Sequence, residues 1–279
     1  MKSQEQGVQR AVWADNLQTG LEGIVRFFEK TFVIVDLEMR KVRRDPSDLF
    51  TRAIQPVLWL LIFGQVLART RAIPTGNFSY LDFMAPGILA QSVLFISIFY
   101  GIAIIWERDL GILHKFLASP TPRAALVLGK ALSAGIRALS QVVIIYLLAL
   151  ILGVKVDWNP LSLLGVVVAV MLGAALFSTF SLLIACIVKT RERFMGIGQV
   201  MTMPLFFASN AIYPIAIMPD WLQVISRVNP LTYEVDALRT LMLAGGTSAY
   251  GIGMDFLVLI IVSAVLIYIA SRAYPSVVV

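Results

Sequence analysis

Six apolar stretches, at 50–68, 83–106, 132–153, 161–188, 194–217 and 254–270, take up most of this 279-residue chain, and its charged residues fall almost wholly in the gaps between them. A hydrocarbon core about 30 Å thick takes about 20 apolar residues to cross as a helix. Backbone groups in that layer find no water, so they must be satisfied within the segment. None of the stretches alternates with the period of a barrel strand. The pattern predicts an all-α fold, a polytopic membrane protein with six transmembrane helices. Charged residues amount to 14%, against about 25% in ordinary soluble domains. The single Cys186 lies inside the fourth stretch, which excludes a disulfide framework and a thiolate metal cluster. The first forty residues lack the short continuous apolar core of a cleavable signal, so the first stretch is expected to start insertion itself.

Basic residues orient the chain. With the N-terminus inside, the inner segments 1–52, 106–137, 189–193 and 271–279 hold 9, 5, 3 and 1 Lys or Arg, 18 in all. The outer segments 69–79, 154–160 and 218–253 hold 5. That asymmetry predicts cytoplasmic N- and C-termini in a cell membrane. It also accounts for the net charge of +6 without nucleic acid as a partner. Arg52 and Arg137 fall at the inner ends of their spans, where long side chains reach the headgroups.

Residues 1–49 form a cytoplasmic arm. Within it Leu21, Ile24, Val25, Phe28, Phe32, Val35 and Met39 recur at steps of three and four, the signature of one apolar helix face. Glu22, Arg26, Glu29, Lys30, Asp36 and Arg40 fill much of the rest. The segment reads as an amphipathic helix in the membrane interface, or as a helix packed on the rest of the chain. The basic run from Arg40 to Arg44 behind it suits anionic lipid headgroups.

Several chemistries are missing. Gly129-Lys130 is followed by Ala131 and preceded by Ala124 where a phosphate loop needs its first glycine, so the chain carries no ATP-binding motif and no catalytic residue is assigned. It has no HExxH, and the lone His114 falls in an inner loop, which speaks against a metal site and an intramembrane protease. Asp82, Glu107, Lys189 and Asp255 fall at span ends, leaving the spans almost free of the central ionisable groups that ion-coupled carriers use. A self-sufficient ion-coupled carrier or an intramembrane enzyme stands as the alternative reading.

The longest internal cytoplasmic loop, about 107–123, places Leu110, Leu113 and Leu117 on one face of a short helix that Pro120 and Pro122 end. Such a helix suits a partner surface or simply links two spans. Its sequence and its continuation, ERDLGILHKFLASPTPRAALVLGK (107–130), resemble the corresponding loop of type-2 ABC transporter permeases. RRDPSDLFTRAIQPVLWLLIFG (43–64) is similar to that family's approach to its first span, and NPLTYEVDALRTLML (229–243) to its signature before the last. The resemblance runs from about residue 30 to the C-terminus, nearest to the daunorubicin-resistance-like branch of drug and lipid exporters. Asp109 and His114 stand where the commoner pattern has Gly and Glu or Arg.

That resemblance implies a membrane subunit of an ATP-driven exporter. ATP and Mg would be bound by a separate ABC ATPase, present in two copies, and a second permease would complete a homodimer. The loop helix would be the coupling helix, with Glu107, Arg108, Asp109, Gly111, Leu113, Lys115 and Leu117 at or near the ATPase. The arm helix, 21–39, would be the connecting helix, leading into a permease domain over 50–279. The second and fifth spans would face the path where two permeases meet, which points to Gln91, Phe95 and Phe99, and to Pro204, Phe206, Phe207 and Asn210. Aromatic rings with sparse polar groups suit a small hydrophobic or lipid-like substrate (drug, lipid or glycolipid) taken from among the membrane lipids.

Between the last two stretches, about 218–250 is too polar to cross and too apolar for a plain loop. Asn229 suits an N-cap, Pro230 a first helical turn and Gly245-Gly246 a stop. The resemblance makes this an outer re-entrant helical hairpin. Asp236 and Arg239 are spaced to pair along it, and Trp221 and Tyr233 fit an interfacial aromatic belt.

Overall fold

A computed structural model describes residues 25–41, 43–44, 47–70, 73–76, 78–113, 121–188 and 190–274. Among them the backbone is helical nearly throughout, and the only bridge of extended backbone is an isolated antiparallel one between Val156 and Leu243. In chain order the helices are α1 (25–41), α2 (Ser47–Leu58), a π turn (Trp59–Gly64), α3 (Gln65–Thr70), α4 (Tyr80–Tyr100), α5 (Ile102–Asp109), α6 (Arg123–Ile151), α7 (Pro160–Ile187), α8 (Arg191–Phe207), α9 (Asp220–Val228), α10 (Pro230–Met242) and α11 (Ile252–Ala273).

Local chemistry sets several of the starts. Ser79 Oγ accepts from the Asp82 N–H at 3.1 Å while Asp82 Oδ2 accepts from the Ser79 N–H at 3.0 Å, a capping box that opens α4. Asn159 caps α7 ahead of Pro160, and Thr190 caps α8. The other oxygen of Asp82 accepts from the Lys155 N–H at 3.0 Å, tying the turn after α6 to the start of α4.

The centre of the bundle is α4. Residues 82–94 are buried without interruption, because this helix is apolar on every side and other helices cover all of it. Met84, Ile88, Leu89, Val93 and Leu94 share one core with Val166, Val170 and Phe177 of α7, Phe206 of α8, and Val235, Leu238 and Met242 of α10. By contrast α11 buries a single stripe, Asp255, Leu259, Ser263 and Ala270, and turns Leu257, Ile260, Ile261, Val265 and Ile269 outward. That outward apolar surface is what a helix facing lipid requires.

Four rods are long and apolar enough to cross a membrane: Tyr80–Asp109, Arg123–Ile151, Pro160–Ile187 and Ile252–Ala273. They lie at the second, third, fourth and sixth expected spans. The other two expected spans fall on shorter helices. The first lies on Ile54–Thr70, which contains the π turn. The fifth was expected to reach residue 217, yet α8 stops at Phe207 after 17 residues, about 25 Å of rise. Its end is fixed by Asn229, whose Nδ2 donates to the carbonyls of Leu205 at 2.7 Å and Ala208 at 3.2 Å. A side chain that satisfies the last carbonyls removes the need for another turn.

Close approach of backbones decides one position above others. A Cβ on Gly87 of α4 would fall 2.2 Å from the Ala211 carbonyl oxygen, whereas a Cβ on Gly253 would meet nothing within 4 Å. Gly87→Val should therefore destabilise the fold by about 1–3 kcal/mol and lower the thermal midpoint in detergent. Gly253→Ala should leave the midpoint unmoved; equal shifts would count against this packing.

Candidate functional site: a buried ionic knot beside an amphipathic groove

One face of α1 packs on the bundle. Thr31, Ile34, Val35 and Glu38 are buried, and α6 admits them because Gly129 carries no side chain where Ile34 presses in. Of the stripe that the spacing marked, the packed face takes Val35 but not its N-terminal part. Val25, Phe28 and Phe32 stay exposed, available to a membrane surface, while the buried line carries a threonine and a glutamate. Leu21 and Ile24 lie outside the described residues. The helix is thus both packed and amphipathic.

Glu38 is placed where three other elements converge. Lys41 Nζ lies 2.9 Å from Glu38 Oε1 and 2.8 Å from Glu107 Oε1. Lys130 Nζ, on α6, donates to Glu107 Oε2 at 2.7 Å and to Glu38 Oε1 at 3.5 Å. Arg137, two turns further along α6, reaches Glu38 Oε2 at 3.5 Å, and its guanidinium lies 5.0 Å from the centre of the Tyr100 ring. Glu38, Glu107 and Lys130 are each 4% exposed or less. Two carboxylates and three cations therefore hold α1, α5 and α6 together, with Glu38, Glu107 and Lys130 out of water and Lys41 at the rim. Burial alone pushes the Glu38 carboxyl up, but the Lys130 charge, with the hydrogen bond and charge of Lys41, outweighs it and holds the pKa at about 2.

A second ionic contact sits two residues on. Asp109 Oδ2 accepts from Arg191 Nη2 at 2.8 Å and from Nε at 3.1 Å, joining the end of α5 to the start of α8. The Arg191 guanidinium also stacks 3.5 Å over the Trp106 ring. Gly111 then takes φ +69, the left-handed turn that ends a helix. Leu113 beyond it is fully buried with Ile34, Ile104 and Leu126. Of the expected coupling residues, Glu107, Arg108, Asp109, Gly111 and Leu113 cluster at the root of this loop; Lys115 and Leu117 lie outside the described residues.

The groove opens along α2. Pro56 has no N–H and cannot donate to the Arg52 carbonyl one turn back, and a π turn follows, a departure often found at functional sites. Beside it, Thr51, Arg52, Gln55, Pro56, Gln91, Ser92, Phe95, Ile96, Phe99 and Gln199 enclose a cavity of about 270 Å³. Gln91, Phe95 and Phe99 thus share one wall. Phe206 and Phe207 do not: Phe206 is fully buried with its ring 5.9 Å from that of Trp59, and Phe207 leans out on the far side of it. Asn210 is buried elsewhere, its carbonyl accepting from Arg239 Nη2 at 2.7 Å.

Asp236 and Arg239 do not pair with each other. Asp236 Oδ2 takes the Ser248 hydroxyl and the Ala249 and Tyr250 N–H groups, while Arg239 lies 3.8 Å over the Phe83 ring and bonds backbone carbonyls. Loop donors and carbonyls sit nearer each side chain than the other does. Sequence reasoning also missed Glu38, Lys41 and Lys130 as partners of Glu107, because each looks like an ordinary surface charge along its own segment. Glu234 was missed too. It is fully buried, a Cβ on Gly173 midway along α7 would strike its carboxyl group, and neither of its oxygens has a hydrogen-bond partner among the described residues.

Long apolar helices, an ionic knot at one end and a half-polar groove beside it define a multi-pass helical membrane protein. Residues 29–243 match the family model described as ABC-2 type transporter, and the chain belongs to that family. It is 30% identical over 217 residues to a putative transport permease, ycf38, of Cyanophora paradoxa, covering 77% of this chain and 74% of that one. It is 25% identical to the daunorubicin resistance ABC transporter permease protein DrrB1 of Streptomyces coeruleorubidus, over 73% and 71% of the two chains. Identity is also 25% to the probable doxorubicin resistance permease protein DrrC of Mycobacterium tuberculosis, over 82% of each.

Removing one member of the knot strands the rest. Lys130→Met should cost about 3–5 kcal/mol, read as thermal unfolding in detergent. Adding Glu38→Gln and Glu107→Gln to it should recover most of that loss. With its carboxyl held at about 2 against an ordinary 4.5, Glu38 contributes stability that is complete above pH 4.5 and fades as pH falls towards 2. Proteolysis within α1 should rise across that window in the native protein and stay flat in Glu38→Gln.

Proposed function

We propose that this chain is the membrane permease subunit of an ABC exporter, working as a homodimer with two copies of a separate ABC ATPase that binds ATP and Mg. The observation that carries the reading is the root of the 107–123 loop. Glu107 is locked to α1 and α6, and Asp109 to α8, so a push delivered to that loop reaches the amphipathic arm and a helix lining the groove together. In this reading the basic end of the bundle, with both termini, faces the cytoplasm, and α2–α3 and α8 complete six crossings. Residues 218–250, holding α9 and α10, form the outer hairpin. The cargo is hydrophobic or amphipathic and moves along the faces carrying Gln91, Phe95, Phe99, Phe206, Phe207 and Asn210.

Glu234 favours a second reading. An ionisable group buried at the level of Gly173, with no partner for its oxygens among the described residues, is what an ion-coupled carrier would hold at membrane depth. That carrier would run without an ATPase and stop on Glu234→Gln.

A mild-detergent pull-down of the tagged chain from its native host separates the two. The exporter reading expects an ABC ATPase in comparable amount and vanadate-sensitive transport. It also expects Asp109→Ala to lower cargo-stimulated ATP hydrolysis roughly tenfold while the ATPase stays bound. An active chain isolated without any ATPase would sink it.

A further inference from the structure

Tyr274 closes α11, and the residues it packs among belong to other elements. Fully buried, it shares an apolar cluster with Ile34 of α1, Ile104 of α5, Leu113 beyond Gly111, Leu126 of α6 and Leu182 of α7. Packing accounts for its ring but not for its hydroxyl. That hydroxyl is buried and has no hydrogen-bond partner among the described residues, although phenylalanine would fill the same space without the cost of an unmet donor. Burial pushes the phenol well above its ordinary range, and the charges of Glu107, Cys186 and Glu38 push it further. A donor with no acceptor therefore stands within electrostatic reach of both carboxylates of the knot.

The knot has a matching weak point. Glu107 Oε2 is held by the buried Lys130, but Oε1 takes only Lys41 among the described residues. Lys41 is 45% exposed and ends α1, so it is the member that water can draw away. Its departure would leave one oxygen of a buried carboxylate bare, a penalty that a single hydroxyl donor removes. We propose that Tyr274 is the reserve donor of the knot, a positioning residue whose hydroxyl takes Glu107 Oε1 whenever Lys41 lets go. Glu107 then keeps two donors in both states. The second state ties the root of the 107–123 loop to α11, which no ion pair among the described residues reaches. Tyr100, the other buried phenol beside the knot without a hydrogen-bond partner, is engaged through its ring by Arg137, and it lies on α4, which already runs on into α5. What the second position does for the loop rests on the exporter reading; the hydrogen bond itself does not.

The test is a double-mutant cycle on the full-length chain in detergent, read as the thermal midpoint. Tyr274→Phe should leave the native midpoint within about 1 °C, and in a Lys41→Met background it should lower the midpoint by about a further 5 °C. Hydrogen exchange over 104–113 should rise about tenfold in the double variant and hardly at all in either single one. A double variant that fails to fold while both single variants fold is the same coupling at its limit. Equal effects of Tyr274→Phe in the two backgrounds would overturn the proposal, since a ring that only packs loses nothing more when Lys41 goes. Exchange that rises as far in Lys41→Met alone would overturn it too. Co-purification of the ABC ATPase is scored separately on the same preparations. Coupling found with the ATPase absent counts against the exporter reading, and an additive cycle with the ATPase bound counts against the reserve donor.

Discussion

Charges held at the edge of a membrane must neutralise one another, because the water that would otherwise screen them is gone. Glu38, Glu107 and Lys130 meet that condition within 2.7–3.5 Å, and the position of α1 follows from it. Without Glu38, α1 would keep the packing of Thr31, Ile34 and Val35 and the link from Lys41 to Glu107, but would lose its ionic hold on α6. Glu38 fastens it to α6 and Lys41 to α5, the two helices that flank the loop. The same contacts fix the direction in which the chain leaves α5, since Glu107 on its last turn cannot rotate away without stranding the buried Lys130.

The groove and the knot share their supports. A single rod, α4 running on into α5 past Gly101, carries Gln91, Phe95 and Phe99 in its upper half and Glu107 and Asp109 at its foot. At Gly101 it presses so closely on α7 that a Cβ would overlap Ser181 Oγ, whose hydroxyl donates to the Ile98 carbonyl. The second link is α8, gripped by Asp109 at Arg191 and contributing Gln199 to the groove two turns on. This is a contiguous chain of packed and hydrogen-bonded groups, the physical kind of connection that coupling between distant sites needs.

Hydropathy made the long crossings legible, because a run of apolar residues has one cheap fate in a bilayer and its length is readable directly. The short ones were less so. Nothing in the apolar run 194–217 announces that α8 ends at Phe207, since the residue that ends it is Asn229, brought back from the next segment. The motif at 107–130 pointed to the loop and to Glu107, but a motif read along the chain does not reveal a partner 66 residues away, as Lys41 is. The stripe on α1 marks an amphipathic helix but not its packed face, which keeps Val35 and is centred on the Glu38 salt bridges while Phe28 and Phe32 stay outward. Asp236 and Arg239 failed for the same cause, local spacing being weaker than the donors and carbonyls that tertiary folding supplies.

The π turn between Trp59 and Gly64 holds more residues per turn than its neighbours. Each α-helical residue advances the azimuth by about 100°, so one extra residue shifts everything after it by about that angle. Ile54, Leu58 and Ile62 lie on the outward face of this segment and Val66 of α3 is still exposed beyond them, while Leu67 and Ala68 pack against the core. The apolar face along α2 therefore runs on past the π turn to Val66, and the change in hydrogen-bond register serves to bring Leu67 and Ala68 round to the core.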